Sequence, residues 1–353
     1  MTEEGQAPGW EAIDGALERL YGAQEPKHYG ILIPYAMGGS DPLDGISAYQ
    51  AEEPVPHWHF VTYGFSELYQ RESGDPEESG YGFELTFRLV RTQEEEEPPA
   101  WALNLLQNMG RYVFSSGNVF RAGDYMDANG PICLDSDTRL TALAFVRDPE
   151  LPGIDTPNGR VEFLQMTGIT QDELAAMQAW NTFGVLDAGA AHIPSYLTDL
   201  ERHSLMEDKA VSDAVQDGLE REGSSTGFLF VDQLGWTPGK KGWLRKTAPV
   251  LTIGAKQADI IGKLLLGRIP KGRELTLAGA GHSVVFKRGE QALHMEDSQE
   301  VTIVLDDRSA REMAQNLVPQ ARRFDAPFKD GLTVEIVKTE ITDQDGSVIR
   351  TIG

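Results

Sequence analysis

The chain has 353 residues, 40% of them apolar and 24% charged, which is material for about two domains with real cores rather than for a disordered chain. Its formal net charge of −24 is uneven: residues 1–238 hold 40 Asp and Glu against 13 Lys and Arg, a net −27, whereas residues 239–353 hold 15 against 18, a net +3. The first part therefore repels nucleic acid and suits a basic partner, no apolar run approaches the ~18 residues of a membrane span, and the single cysteine, Cys133, excludes an internal disulfide framework and any Cys-pair metal site.

The acidic start, Met1-Thr2-Glu3-Glu4-Gly5, has neither a basic nor an apolar leader region, so no signal peptide is expected and a reducing cytoplasm fits best. Trp10, Ile13, Leu17, Leu20 and Tyr21 recur at helical spacing and predict an amphipathic helix over 9–23. Tyr29–Tyr35, His57–Tyr63 and Tyr81–Arg91 read as strands, the first ended by Gly38-Gly39. The run Glu94–Glu97 is a solvated loop, and Pro98-Pro99 then start a helix with Trp101, Leu105, Leu106, Met109 and Val113 on its core side. A strand at 160–170 leads to Thr170-Gln171-Asp172-Glu173, an N-cap with an acidic first turn, and a helix to about Asn181. A short helix at Val211–Glu220 and an apolar run at Gly227–Leu234, fit for a buried strand, follow.

Gly235–Trp243 is rich in Gly and Pro and marks the change of charge, which places a boundary between domains 1–238 and 239–353. Beyond it, strands are expected around 247–253, 258–268, 274–278, 283–287, 301–305, 332–337 and 348–352. A helix is expected at Ser309–Leu317, with Asp306-Asp307 at its positive end. The mixture lacks βαβ regularity, so the expected class is α+β, two domains each with a mixed sheet and flanking helices.

Motifs for chemistry are sparse. His57 and His59 alternate on one strand face and would need two further ligands to hold zinc. Gly279-Ala280-Gly281-His282 lies between strands with no helix behind it, which is a hairpin turn rather than a phosphate loop. Cys133 reads as a small core residue. No cofactor, metal or catalytic group is expected. If the chain were an enzyme, His57, His59 and Glu84 would be the first suspects.

Three blocks fall in a recognisable order: Gly38-Gly39-Ser40-Asp41-Pro42-Leu43-Asp44, His57-Trp58-His59-Phe60, and Gly80–Arg88. With Ile33-Pro34-Tyr35, Phe65-Ser66-Glu67-Leu68-Tyr69, Arg111-Tyr112-Val113-Phe114, Phe163-Leu164-Gln165, Trp180-Asn181 and Leu197–Leu200, they resemble the Suppressor of Fused family. The later part matches more thinly, at Leu266-Gly267-Arg268, Gly272–Thr276 and Val301–Leu317. The resemblance implies a non-enzymatic two-domain clamp that holds an extended partner peptide as a strand between its domains, as animal members hold a segment of Gli-type transcription factors. It implies partner-binding roles for Tyr112, Phe120 and Asp124 in the first domain. Phe228 falls on the strand that pairs with the peptide, which the resemblance places at Gly227-Phe228-Leu229-Phe230, and Lys256 and Ile260 belong to the second domain's wall. Asp124 would pair with a polar or cationic side chain, and its local alternative is a turn residue after Gly123.

Two departures bear on that carry-over: Ala36 replaces a tryptophan, and Lys256 a glutamate, of the animal proteins, so their peptide should not be recognised. The long insert of the animal members is also missing. The resulting compactness suggests a bacterial member, and the bacterial proteins resemble immunity proteins of toxin systems. A basic toxin domain is therefore one expected partner. A scaffold without a peptide groove is the remaining alternative, in which Tyr112 and Asp124 would be buried.

Overall fold

The computed structural model describes residues 7–31, 38–70, 77–92, 94–134, 136–239, 247–295, 299–342 and 347–353. The chain forms two compact units, Met1–Leu174 with Val185–Ser212, and Ala175–Gly184 with Asp213–Gly353. The chain passes from the first to the second inside one helix, returns inside the next, and crosses finally inside a third.

The first unit is built on one mixed sheet. Its strands are β1 (Lys27–Gly30), β2 (Gly45–Ala51), β3 (His57–Tyr63), β4 (Glu78–Val90), β5 (Tyr125–Asp127), β6 (Leu140–Arg147), β7 (Ile154–Thr156) and β8 (Gly159–Thr170). They lie in the order β1-β2-β3-β4-β8-β6-β5, with β7 paired on β8. The contacts β2–β3, β3–β4 and β6–β8 are antiparallel and β4–β8 is parallel. Strand β3 is buried along its whole length because each face of the sheet carries a helix.

Helix α1 (Pro8–Tyr21) starts on a proline and places Ile13, Ala16 and Leu17 against Val61, Tyr63 and Phe163. Helix α2 (Ala100–Ser116) buries Leu106, Met109 and Val113 against Phe60, Leu85 and Phe87 on the opposite face. It stops at Gly117, whose φ of 73° only glycine adopts without strain and whose N–H donates to the Val113 carbonyl. Each large apolar side chain fully buried in this way contributes about 1.5–3 kcal/mol.

Helices α3 (Gln171–Ala179), α4 (Thr182–Ala188) and α5 (Lys209–Glu222) carry the three crossings. The second unit then has β9 (Phe228–Phe230), β10 (Leu234–Thr237), β11 (Val250–Gly254), helix α6 (Ala255–Arg268), β12 (Leu275–Ala278), β13 (Ser283–Arg288), β14 (Ala292–Met295) and β15 (Glu300–Leu305). Helix α7 (Asp307–Asn316), β16 (Arg322–Ala326), β17 (Leu332–Val337), β18 (Thr339–Thr342) and β19 (Val348–Ile352) complete it. The strands form sheets β10-β11-β17-β16 and β14-β15-β13-β12-β9, and the hairpin β18-β19. Ile261, Leu264 and Leu265 of α6 and Met313 of α7 share one core with Leu251, Phe286, Ile303 and Val334. Trp180 belongs to this unit: its ring lies against Gly184 and Gly218, and its indole N–H donates to Glu222 Oε2 at 2.9 Å.

The α+β class and the two units agree with the sequence reading, and several details correct it. Residues 258–268 are helical, not a strand: Ala258, Ile261 and Leu265 recur at helical spacing over fourteen residues, longer than a buried strand needs. The run Gly227–Leu234 is not one buried strand. Only Leu229 of β9 turns inward, while Phe228 and Phe230 face out. The units divide at Ser212/Asp213 rather than near 238, because β9 pairs with β12 and so belongs to the second unit. Strands β2, β5, β6, β7, β10, β14, β16 and β18 were not anticipated; several are short or carry Ser, Ala and Arg instead of β-branched runs. Ile33-Pro34-Tyr35, Ala36 and residues 240–243 of the expected linker lie outside the described residues.

Candidate functional site

In the first unit, Tyr112 and Phe120 are brought together by the end of α2 and the loop that follows. Their rings stack at 5.7 Å and 26°, and Phe120 stacks in turn on Phe145 of β6 at 4.1 Å and 13°. Tyr112 is 37% exposed, and Phe120, at 8%, forms the buried floor of a cavity of about 460 Å³ edged by Val119, Arg121, Arg147 and Glu162. Asp124 is exposed and immediately precedes β5, one of the two end strands of the large sheet. Its Oδ2 accepts the Arg121 N–H at 2.7 Å, its own N–H donates to the Arg121 carbonyl, and its carbonyl accepts from Phe145 N. It is thus a turn residue that also presents a carboxylate to solvent. The scaffold alternative expects both Tyr112 and Asp124 buried, and both are accessible.

In the second unit, β9 is the end strand of its sheet. Gly227 O accepts from Thr276 N, and Val231 N donates to Ala278 O. Because backbone groups alternate sides along a strand, the N–H and C=O of Leu229 face β12, and those of Phe228 and Phe230 face the opposite edge. Among the described residues no strand pairs with that edge. The side chains of Phe228 and Phe230 are 60% and 57% exposed. The resemblance takes in Phe230 as part of the strand Gly227–Phe230 but singles out Phe228 alone as a binding residue, although the Phe-Leu-Phe alternation gives both the same outward face.

Lys256, in the first turn of α6, has Nζ 3.4 Å from Asp232 Oδ2, so its charge is shared within the unit. Ile260 is only 9% exposed and packs in the core.

The suspects for catalysis or metal binding are all buried at 0% exposure. His59 Nδ1 meets the Tyr21 hydroxyl at 2.6 Å and its Nε2 meets Asp148 Oδ2 at 3.1 Å. Asp148 Oδ2 also accepts from Arg88 Nη1 at 2.6 Å and from the Thr86 hydroxyl at 2.7 Å. Arg88 reaches Glu150 at 2.9 Å, and Gln165. Burial and the Arg88 charge push His59 down to about 4, so it is neutral. Burial pushes the Asp148 carboxyl up, but His59 and Arg88 outweigh it and hold the group well below the usual carboxylate range. His57 Nδ1 is spent on the Val55 carbonyl at 2.8 Å.

Glu84 sits in a separate nest. Its carboxylate accepts from the hydroxyls of Thr62 and Ser66, both at 2.6 Å, and from the N–H groups of Gly64, Phe65 and Ser66. Burial still pushes it up to about 7. Among the described residues, no group of three or more His, Cys, Asp or Glu side chains is placed to hold a metal ion, and no helix is long and apolar enough to cross a membrane. These polar groups tie β3, β4, the end of β6 and α1 together.

Comparison with known proteins gives a consistent result. Residues 39–203 match the family described as Suppressor of fused protein. The human Suppressor of fused homolog is 37% identical over 234 residues, which are 62% of this chain and 48% of the human protein, so the match spans about half of that relative. The crystal structure of Drosophila Suppressor of Fused superposes with a TM-score of 0.77 at 25% identity, covering 95% of this chain and 99% of that one. A chain from the crystal structure of the Sufu–Fu complex is 33% identical, with a TM-score of 0.56, and is matched over 98% of its length by 60% of this chain.

Proposed function

The chain belongs to the Suppressor of Fused family, and on that premise we propose that it is a non-enzymatic, cytoplasmic binder of proteins that takes an extended partner segment as an added strand along β9. The observation that carries this reading is the outer edge of β9. It offers the backbone groups of Phe228 and Phe230 to a partner strand and flanks them with two exposed aromatic rings. Main-chain hydrogen bonds give such an edge generic affinity, and the phenylalanines give it apolar anchors. The solved complex of a relative with Fu supports a protein as the partner class.

In this reading Tyr112 and Phe120 receive an apolar partner side chain and Asp124 a polar or cationic one. The net −27 of residues 1–238 fits a basic partner, and a basic toxin domain neutralised by a bacterial immunity protein is the specific case proposed. Lys256 contributes a charge shared with Asp232 rather than a free cation, and Ile260 supports the wall from the core.

The test is affinity capture from the native cytoplasm with three baits: wild type, Phe230→Pro, and the double variant Tyr112→Ala, Asp124→Asn. Proline at 230 deletes an outward N–H and leaves the bonds of Leu229 to β12 in place. Asparagine at 124 keeps an acceptor for the Arg121 N–H while removing the charge. A polypeptide held by the wild type and weakened by both variants is expected, and loss of one strand hydrogen bond should weaken the purified pair about three- to tenfold. Equal capture by all three folded baits would overturn the proposal.

A further inference from the structure

Four of the motifs that carry the family resemblance have no part in the strand edge just described: Gly38–Asp44, Phe65–Tyr69, Gly80–Arg88 and Arg111–Phe114. In the first unit they converge on one cavity of about 550 Å³, to which each contributes lining residues. Its walls are aromatic. Tyr81 meets Phe114 edge-on at 5.1 Å and 64°, Phe65 lies 6.3 Å from Phe114, and Tyr69, 49% exposed, stands at the mouth. Asp44 and Glu67 are among the residues that line the cavity.

Asp44 is half-buried, and among the described residues no cationic side chain pairs with it. Burial pushes its carboxyl up, and the neighbouring Glu67 adds to the effect. Tyr69 lines the same cavity as Asp44, and burial and the charge of Asp44 together push its phenol up. A half-buried acid beside a second acid is relieved by a cation. Aromatic faces attract the same cation through their quadrupoles and cover its apolar stem.

We propose that this cavity is a socket for one lysine or arginine side chain of a basic protein partner, held between the Tyr69, Tyr81 and Phe114 rings and the Asp44 carboxylate. The occupant follows from charge complementarity, since the socket lies in the part of the chain that carries −27. The socket rests on the protein-binding reading but uses a different surface from the β9 edge. It would select partners by a basic residue, whereas the edge reads backbone.

The test uses saturation-transfer NMR on the full chain with three probes: N-acetyl-arginine amide, N-acetyl-lysine amide and the neutral N-acetyl-citrulline amide. Both cationic probes should bind, and the neutral one should bind about tenfold or more weakly. Tyr69→Leu, at an exposed position that leaves the core intact, should weaken the cationic probes about three- to tenfold, and Asp44→Asn at least as much. Equal signals from all three probes, or cationic binding unchanged by Tyr69→Leu, would overturn the socket, because diffuse attraction to an acidic surface does not depend on one ring. Phe230→Pro should leave probe binding untouched, so failure of the socket and failure of the strand-edge reading are separable.

Discussion

Replacing Arg88 by methionine tests the polar layer under α1. Arg88 is fully buried, and its guanidinium supplies Asp148, Glu150 and Gln165. Removing one partner of a buried ion pair costs about 3–5 kcal/mol, because the remaining charge is left uncompensated. Here the lower end applies. Asp148 retains the Thr86 hydroxyl on Oδ2 and the N–H groups of Glu150 and Leu151 on Oδ1, at 2.7, 2.9 and 2.9 Å, and Glu150 can turn to solvent. We therefore expect a loss of about 3 kcal/mol at pH 8, or about 6–12 °C in Tm for a domain of this size.

The loss should depend on pH. With Arg88 gone, His59 faces the Asp148 carboxylate without an opposing cation, and its pKa rises toward neutrality. Its protonated form then replaces the missing charge, so the deficit should shrink to about 2 kcal/mol at pH 5.5. Urea unfolding followed by far-UV circular dichroism at both pH values measures this. A loss below about 1 kcal/mol at pH 8, or a deficit independent of pH, would refute the account of the layer.

The remaining predictions concern other elements. In the wild type, His59 (held to about 4) and Glu84 (raised to about 7) act in opposite directions between about pH 4.5 and 6.5. The unfolded chain takes up a proton at His59 first, so stability falls as pH drops from 6.5; the native chain keeps its Glu84 proton longer, so stability falls as pH rises from 4.5. His57 and His28, which burial also pushes down, act on the His59 side, so His59→Gln should turn the pH dependence of the denaturation midpoint toward a fall with rising pH relative to the wild type. Glu84→Gln should cost about 2–4 kcal/mol at pH 8 by leaving buried N–H groups without an acceptor, measured as a drop in Tm. Gly218→Ala should lower the stability of the second unit by about 1–3 kcal/mol despite alanine's better helix propensity, because its Cβ would collide with the Trp180 ring; a thermal melt with a gain instead would show that the ring can move away.

Local pattern carried much of this fold. His57–Tyr63 is β3 to the residue, and Asp306, whose carboxylate accepts the Ser309 N–H at 2.7 Å, does cap α7. The hairpin at Gly279–His282 joins β12 to β13 as its glycines suggest. What failed was mostly what depends on distant partners. Residues 258–268 read as a strand because the short apolar clusters Ile260-Ile261 and Leu264–Leu266 fit a buried strand as well as a helix; the helical spacing of Ala258, Ile261 and Leu265 and the length of the run are the signals for α6, and its packing on α7 bears them out. The Glu84 nest could not be read, since its donors come from Thr62–Ser66, about twenty residues away and outside any motif of known chemistry. The candidate site was legible in part. Resemblance pointed to Tyr112, Phe120, Asp124 and Phe228, but only the sheet order shows that β5 and β9 are edge strands and that Phe230 joins Phe228. Burial shows Ile260 to be a core residue, and Lys256 is paired with Asp232.

The crossings inside α3, α4 and α5 bear on modularity. No single cut yields two self-sufficient halves. A fragment ending at Ser212 would carry residues 175–184 with nothing to cover Ala179 and Trp180, and a fragment starting at Asp213 would lack the indole that Gly184, Gly218 and Glu222 surround. During synthesis the ribosome must deliver residues 175–184 well before the strands they will join, so that stretch waits for its partners. Swapping the second unit between relatives therefore means exchanging two stretches of sequence together, and a recombination event at one point would strand one of them.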